Sequence, residues 1–232
     1  MKINFIIGIL GCVLLLGACR DEKNYLLEGN ITGLIDPMLY IEPFGYLGVK
    51  RDTVFSKDGE FKYEASSDSI QPILIFMEDG TVWVTVWAEN GQVVKISGDA
   101  EYPELMRFNG NEVNELLTEF RQANRDIIKE RNDTDDEKRN EALMQSLISN
   151  SQVFIREHPR SIASLVLIQD YLMESKDLRV VVDALSLVES PAKDTPLYKR
   201  LQMTVKELQE YEINNFDEKN KNEKQKRREI DR

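Results

Sequence analysis

The sequence predicts an α+β protein, with an N-terminal antiparallel β-sandwich or partly rolled sheet followed by a C-terminal helical segment. Two observations carry that prediction. Between Tyr25 and Asn109, three dipeptides (Asp58-Gly59, Asp79-Gly80 and Asn90-Gly91) punctuate short runs of β-branched and aromatic residues. Such turns need positive φ, which Asn, Asp and Gly adopt at least cost, so each dipeptide signals a hairpin. From Gly110 onward the apolar residues recur at helical spacing instead.

The first segment belongs to neither half. The run from Phe5 to Ala18 follows Lys2 and is almost wholly apolar. It is short for a bilayer span and has the anatomy of a secretory signal, which sets residues 1–18 apart as a signal peptide. Its end, Leu16-Gly17-Ala18-Cys19, resembles a bacterial lipobox, which implies cleavage before Cys19 and acylation of its thiol. Small residues let a peptidase close around the backbone, and the cysteine sulfur carries the lipid as a thioether. Acyl chains on Cys19 would anchor the protein to a membrane, each buried methylene contributing about 0.8 kcal/mol. Arg20 stands where an aspartate resembling an inner-membrane retention signal would stand, so the expected address is the outer membrane, on its periplasmic side or at the cell surface. Cys12 leaves with the signal peptide, so the mature chain is expected to carry neither a free thiol nor a disulfide.

Residues 19–24 form a tether. The β half, 25–109, begins with strands in "LLEGNITGL" and "PMLYIEP". "RDTVFSKDGEFKYEA" is expected to fold back at Asp58, and "PILIFMEDGTVWVTVWAENGQVVKIS" to form a three-strand meander turning at Asp79 and Asn90. About seven strands result. The helical half, 110–215, opens with an apolar stripe of Val113, Leu116, Leu117, Phe120, Ile127 and Ile128. A helix starting this soon after Asn109-Gly110 is expected to dock on the sheet with Phe120 buried. Thr134 and Glu137 read as a capping box opening the next helix, which runs to His158. Short helices follow over 161–173 and 176–188, and Thr195 caps a last one with Pro196 at its first position. Residues 216–232 are nearly all charged or amide and are expected to fray.

Charge excludes one partner class. The chain holds 30 basic and 41 acidic residues, and the charged tail from Asp217 is locally basic, which leaves the body strongly acidic. An acidic surface repels phosphate backbones, so nucleic acid is not an expected partner. The expected partners are the membrane, through the N-terminal lipid, and other envelope proteins.

The pieces Asp52-Thr53-Val54, Asp58-Gly59-Glu60-Phe61 and Gly98-Asp99, with "HPRSIASLVLI" from His158 to Ile168, carry a wider resemblance over residues 25–210. This stretch resembles the β-rich domain of unknown function and helical segment that precede the thioredoxin fold in TlpA/ResA-like bacterial lipoproteins. The resemblance implies an envelope setting and a link to thiol-disulfide exchange. Where that family begins its thioredoxin domain, the sequence reads "FDEKNKNEKQKRREIDR", and no Cys-x-x-Cys occurs. Redox chemistry therefore transfers to no residue here. The functional expectation is a non-catalytic envelope lipoprotein serving as a binding or scaffold module; an accessory of thiol-disulfide exchange without its own redox site is the alternative.

Few residues invite chemistry, and no cofactor or metal is expected. His158, the only histidine, reads as a helix C-terminal residue, where its positive form meets the negative end of the dipole. The acids in "NDTDDE" lack the ligand alternation and central glycine of a calcium loop. Asp99, Glu101 and Glu104 read as solvated loop carboxylates. Trp83 and Trp87, four apart on one strand and about 13 Å from each other by strand rise, are candidates for an aromatic ligand platform. Thr53 and Ser69 follow aspartates and precede Val54 and Ile70, which resembles an O-glycosylation sequon of some anaerobic Gram-negative bacteria.

Overall fold

A computed structural model describes residues 23–43 and 51–211. The signal peptide, Cys19 and the charged tail lie outside the described residues. Those described form eight strands in two sheets, then six helices, which makes the fold α+β in the expected order.

The strands are β1 (Tyr25–Thr32), β2 (Met38–Pro43), β3 (Asp52–Phe55), β4 (Glu60–Ala65), β5 (Gln71–Phe76), β6 (Val82–Ala88), β7 (Val93–Asp99) and β8 (Arg107–Asn109). One sheet runs β4-β1-β7-β8 and the other β3-β2-β5-β6. Strand alternation gives each sheet an apolar face, and these faces meet. Leu27, Ile41, Ile73, Ile75, Val86 and Val94 are wholly buried in the shared core.

The pairing corrects two expectations. β1 and β7 pair in parallel, Leu26 opposite Val93 through Thr32 opposite Asp99, so the β half is mixed rather than purely antiparallel. The predicted hairpin at Asp58 and the meander turn at Asn90 are instead corners between sheets. At Asp58-Gly59 both residues have positive φ, 53° and 82°, as the dipeptide requires. The flanking strands stay together only for the bridge Lys57–Glu60, then β3 joins β2 while β4 joins β1. The corner lies tight against β1, where an added Cβ at Gly59 would meet the Ile31 carbonyl oxygen at 2.1 Å, so the position requires glycine. At Asn90-Gly91 the chain leaves β6 and crosses to β1. Only Asp79-Gly80 joins two strands that pair along their length, β5 and β6. That pair carries an irregularity at Ile75/Phe76, where the register passes from Val84 to Val82 and leaves Trp83 as the extra residue.

The helices are α1 (Glu112–Ala123), α2 (Arg125–Asp133), α3 (Glu137–Glu157), α4 (Ile162–Asp170), α5 (Leu178–Leu187) and α6 (196–211). The stripe predicted as one helix breaks at Asn124, whose side-chain amide donates to the Phe120 carbonyl and ends α1. The cap of α3 is also corrected. Asp136, not Thr134, accepts from the Lys138 and Arg139 amides, while Thr134 Oγ1 accepts from the Asp136 amide, two residues too early to cap. α4 is apolar nearly all round and runs buried through the helical core, touching α1, α3 and α5. His158 stands at the C-terminal end of α3, as expected, with its ring against Phe154 at 4.4 Å.

Candidate functional site

The site grows from the way α1 lies on the strands. Asn114, Thr118 and Gln122 recur every fourth residue, so they share one side of α1. Each meets backbone of the β half. Asn114 Oδ1 accepts from the Trp87 amide at 3.0 Å and its Nδ2 donates to the Trp87 carbonyl at 2.8 Å. Thr118 Oγ1 accepts from the Phe108 amide and donates to the Phe108 carbonyl. Gln122 Nε2 donates to the Leu105 carbonyl at 2.8 Å. Asn111, which caps α1, adds a donor to the Trp87 carbonyl at 2.7 Å. These bonds satisfy edge groups of β6 and β8 that would otherwise be buried without partners, which is costly. The expected docking of the first helix is thus observed, through this polar ladder, with Val113 and Leu117 buried in the same cluster as Trp87 and Leu105. Phe120 is buried as predicted, at 5% exposure, but against the other helices: Phe154 meets it edge-on at 5.6 Å and Tyr171 lies at 5.8 Å.

Beside this junction is a cleft of about 220 Å³. Its floor is the β5–β6 ribbon, with Leu74 and the stretch Val82 to Thr85, and its walls come from α1, α4, α6 and the 3-10 turn Pro103–Leu105. Charged groups gather on the helical side. Arg121 and Asp170 form an ion pair at 3.4 Å, with the guanidinium only 14% exposed and the carboxylate 34% exposed at the rim. Protein crowding around Asp170 raises its pKa above the ordinary carboxylate value; Arg121 opposes that shift and Glu104 adds to it. Behind them, burial pushes the Tyr171 phenol up to about 12. Arg200 from α6 completes two cations and two anions around the opening.

Three of the residues bordering the cleft keep a buried polar atom that has no hydrogen-bond partner among the described residues. They are Trp83 Nε1 and Arg121 Nε, both donors, and Glu104 Oε2, an acceptor. Folded proteins rarely leave such atoms orphaned, because each costs about 1–3 kcal/mol of lost solvation.

The predicted site residues fare unevenly. Trp83 and Trp87 both border the cleft, but they do not make one platform. Trp87 is 5% exposed and belongs to the helical core, whereas Trp83 packs against the sheet core. The register irregularity that isolates Trp83 is the physical reason. Thr53 and Ser69 are both exposed, Thr53 on β3 and Ser69 in the loop before β5. Glu104 departs from the solvated role expected of it. Sequence reasoning missed Arg121 and Asp170 entirely. A signal existed for Arg121, a charge beside the buried Phe120 on an amphipathic helix; nothing distinguished Asp170 from an ordinary acid after an apolar run.

No family model, known protein or solved structure matches this chain. Among the described residues no helix is long and apolar enough to cross a membrane.

Proposed function

We propose that this protein is a lipid-anchored component of the bacterial outer membrane that acts by binding, as a non-catalytic envelope module, with the cleft between β6 and the helices as its ligand site. The lipid anchor rests on the sequence around Cys19. The binding role rests on one observation: the orphaned donors and acceptor at Trp83, Arg121 and Glu104, all bordering one cleft. These side chains line the cleft while the three atoms themselves are closed to solvent, so a ligand that draws the two donors and Glu104 into its own hydrogen bonds would recover the solvation lost on folding. The mixed lining fits the same role, since apolar walls with a few converging polar groups are the usual composition of a ligand site.

Tryptophan emission tests this reading, because both tryptophans border the cleft. The full chain is titrated with defined libraries of short peptides, neutral oligosaccharides and fatty acids. A saturable change in emission that Arg121→Met weakens supports the reading. Emission that no library alters, or a change indifferent to Arg121→Met, overturns it.

A further inference from the structure

We infer that the cleft takes an extended peptide segment, which adds to the free edge of β6 at Thr85. The inference rests on the reading of the cleft as a ligand site and names its ligand class.

Among the described residues β6 is the last strand of its sheet, so one of its edges carries backbone groups that no described strand pairs. Which residues face that edge follows from the ladder. Trp87 spends its amide and carbonyl on Asn114 and Asn111, so it faces away from β5. Its partner opposite is Pro72, which has no N–H to give, and this agrees. In an antiparallel pair the direction alternates, so Val86 faces β5 and Thr85 faces outward again. The hydrogen bonds of α1 to this edge fall at Trp87, while Leu117 and Arg121 of α1 and the Pro103–Leu105 turn border the cleft beside Thr85. Thr85 is exposed and lines the cleft, which makes its outward amide and carbonyl the backbone groups of β6 offered to a further strand there.

The charges select among ligands. With Arg121 and Arg200 set against Asp170 and Glu104, an anion would face two carboxylates and a cation two guanidiniums. A neutral ligand with regularly spaced donors and acceptors avoids both conflicts. The lining side chains that hold the orphaned atoms carry both donors and an acceptor, which a run of peptide amides complements once those side chains turn toward it. A sugar is the other neutral candidate, but it binds by lying on open aromatic faces, and the two tryptophans make no joint platform here, Trp87 being 5% exposed and Trp83 half-buried. Strand addition uses main-chain hydrogen bonds for affinity and the adjoining pocket for side-chain choice.

The test selects random decapeptides on the immobilised full chain, with a panel of neutral oligosaccharides run in parallel. Selected peptides are then measured against Thr85→Pro and Thr85→Val. Proline deletes an amide that β5 does not use and is tolerated at such edge positions, whereas valine keeps the amide. The expected result is peptides whose affinity falls about tenfold or more in Thr85→Pro and holds in Thr85→Val. To separate lost binding from lost folding, amide hydrogen exchange in the unsubstituted chain gives an independent reading: peptide should slow exchange at Thr85. Peptides that bind without protecting the Thr85 amide, or with equal affinity for the proline variant in its folded form, overturn strand addition. Oligosaccharides that bind while no peptide does overturn the peptide class and leave the cleft as a ligand site. If neither binds, both readings fall.

Discussion

Asn114 occupies both hydrogen-bonding groups of the Trp87 backbone, accepting from its amide at 3.0 Å and donating to its carbonyl at 2.8 Å. A side-chain amide has the same donor and acceptor pair as a peptide unit. One helical residue therefore takes the place of a neighbouring strand at that point of β6. Asn114 is itself only 2% exposed, so no water stands ready to replace it. Asn114→Ala should cost about 1–3 kcal/mol, chiefly through the stranded Trp87 amide, since Asn111 still reaches the carbonyl. Urea denaturation measures it, and a cost near zero would mean the bond contributes nothing to docking.

Phe120 reports on cooperativity. It is enclosed by Phe154 and Tyr171, and its removal should cost about 3–5 kcal/mol as in other buried aromatic deletions. Because α1 is bonded to β6, β8 and the Pro103–Leu105 turn, the loss should not stay within the helices. Denaturation followed by tryptophan emission and by helical circular dichroism should give coincident transitions, both moved by Phe120→Ala. A helical transition that moves alone would show two independent units.

Asp170 sets a pH dependence whose sign can be worked out. Its folded pKa is raised above the ordinary 3.8. The folded state thus holds the proton more tightly than the unfolded chain, and stability declines as pH rises from about 3.8 through the raised value. Asp170→Asn cannot titrate and lacks that decline. The stability of the variant relative to the parent should therefore increase as pH rises from the ordinary carboxylate value through the raised one. A difference that is flat, or that shrinks, would contradict the raised value.

Cys19 carries the proposal about location. Cys19→Ala should leave an uncleaved precursor that no longer incorporates labelled palmitate and no longer sediments with outer-membrane vesicles. Continued labelling of that variant would remove the basis for the anchor.

What the sequence disclosed and what it hid divide along the range of the interactions. Asp58-Gly59 and Asn90-Gly91 were legible as turns because positive φ is a local demand that few residues meet. Which sheet the flanking strands would join was not legible, because it depends on contacts such as Leu26 with Val93, far apart in the chain. Burial of Phe120 followed from helical period alone. Its neighbours did not, since the same helix shows a polar ladder to the sheet and period says only that two sides differ. The cleft was the least visible part. Arg121 and Asp170 sit in different helices, and Glu104 lies in a loop whose composition suggested solvent. Their meeting is a product of packing.

The parallel pairing of β1 with β7 also governs the order in which the molecule can be completed. β1 is the earliest described strand to be synthesised, yet one flank of it stays empty until Val93–Asp99 exists, and β8 then closes the sheet at Arg107–Asn109. The sheet β3-β2-β5-β6 needs nothing beyond Ala88. Nearer contacts form sooner, because closing a long loop costs entropy before its contacts repay any of it. A growing chain therefore holds an apolar strand with an unpaired flank through much of its emergence. That interval is when a chaperone would have the most to shield.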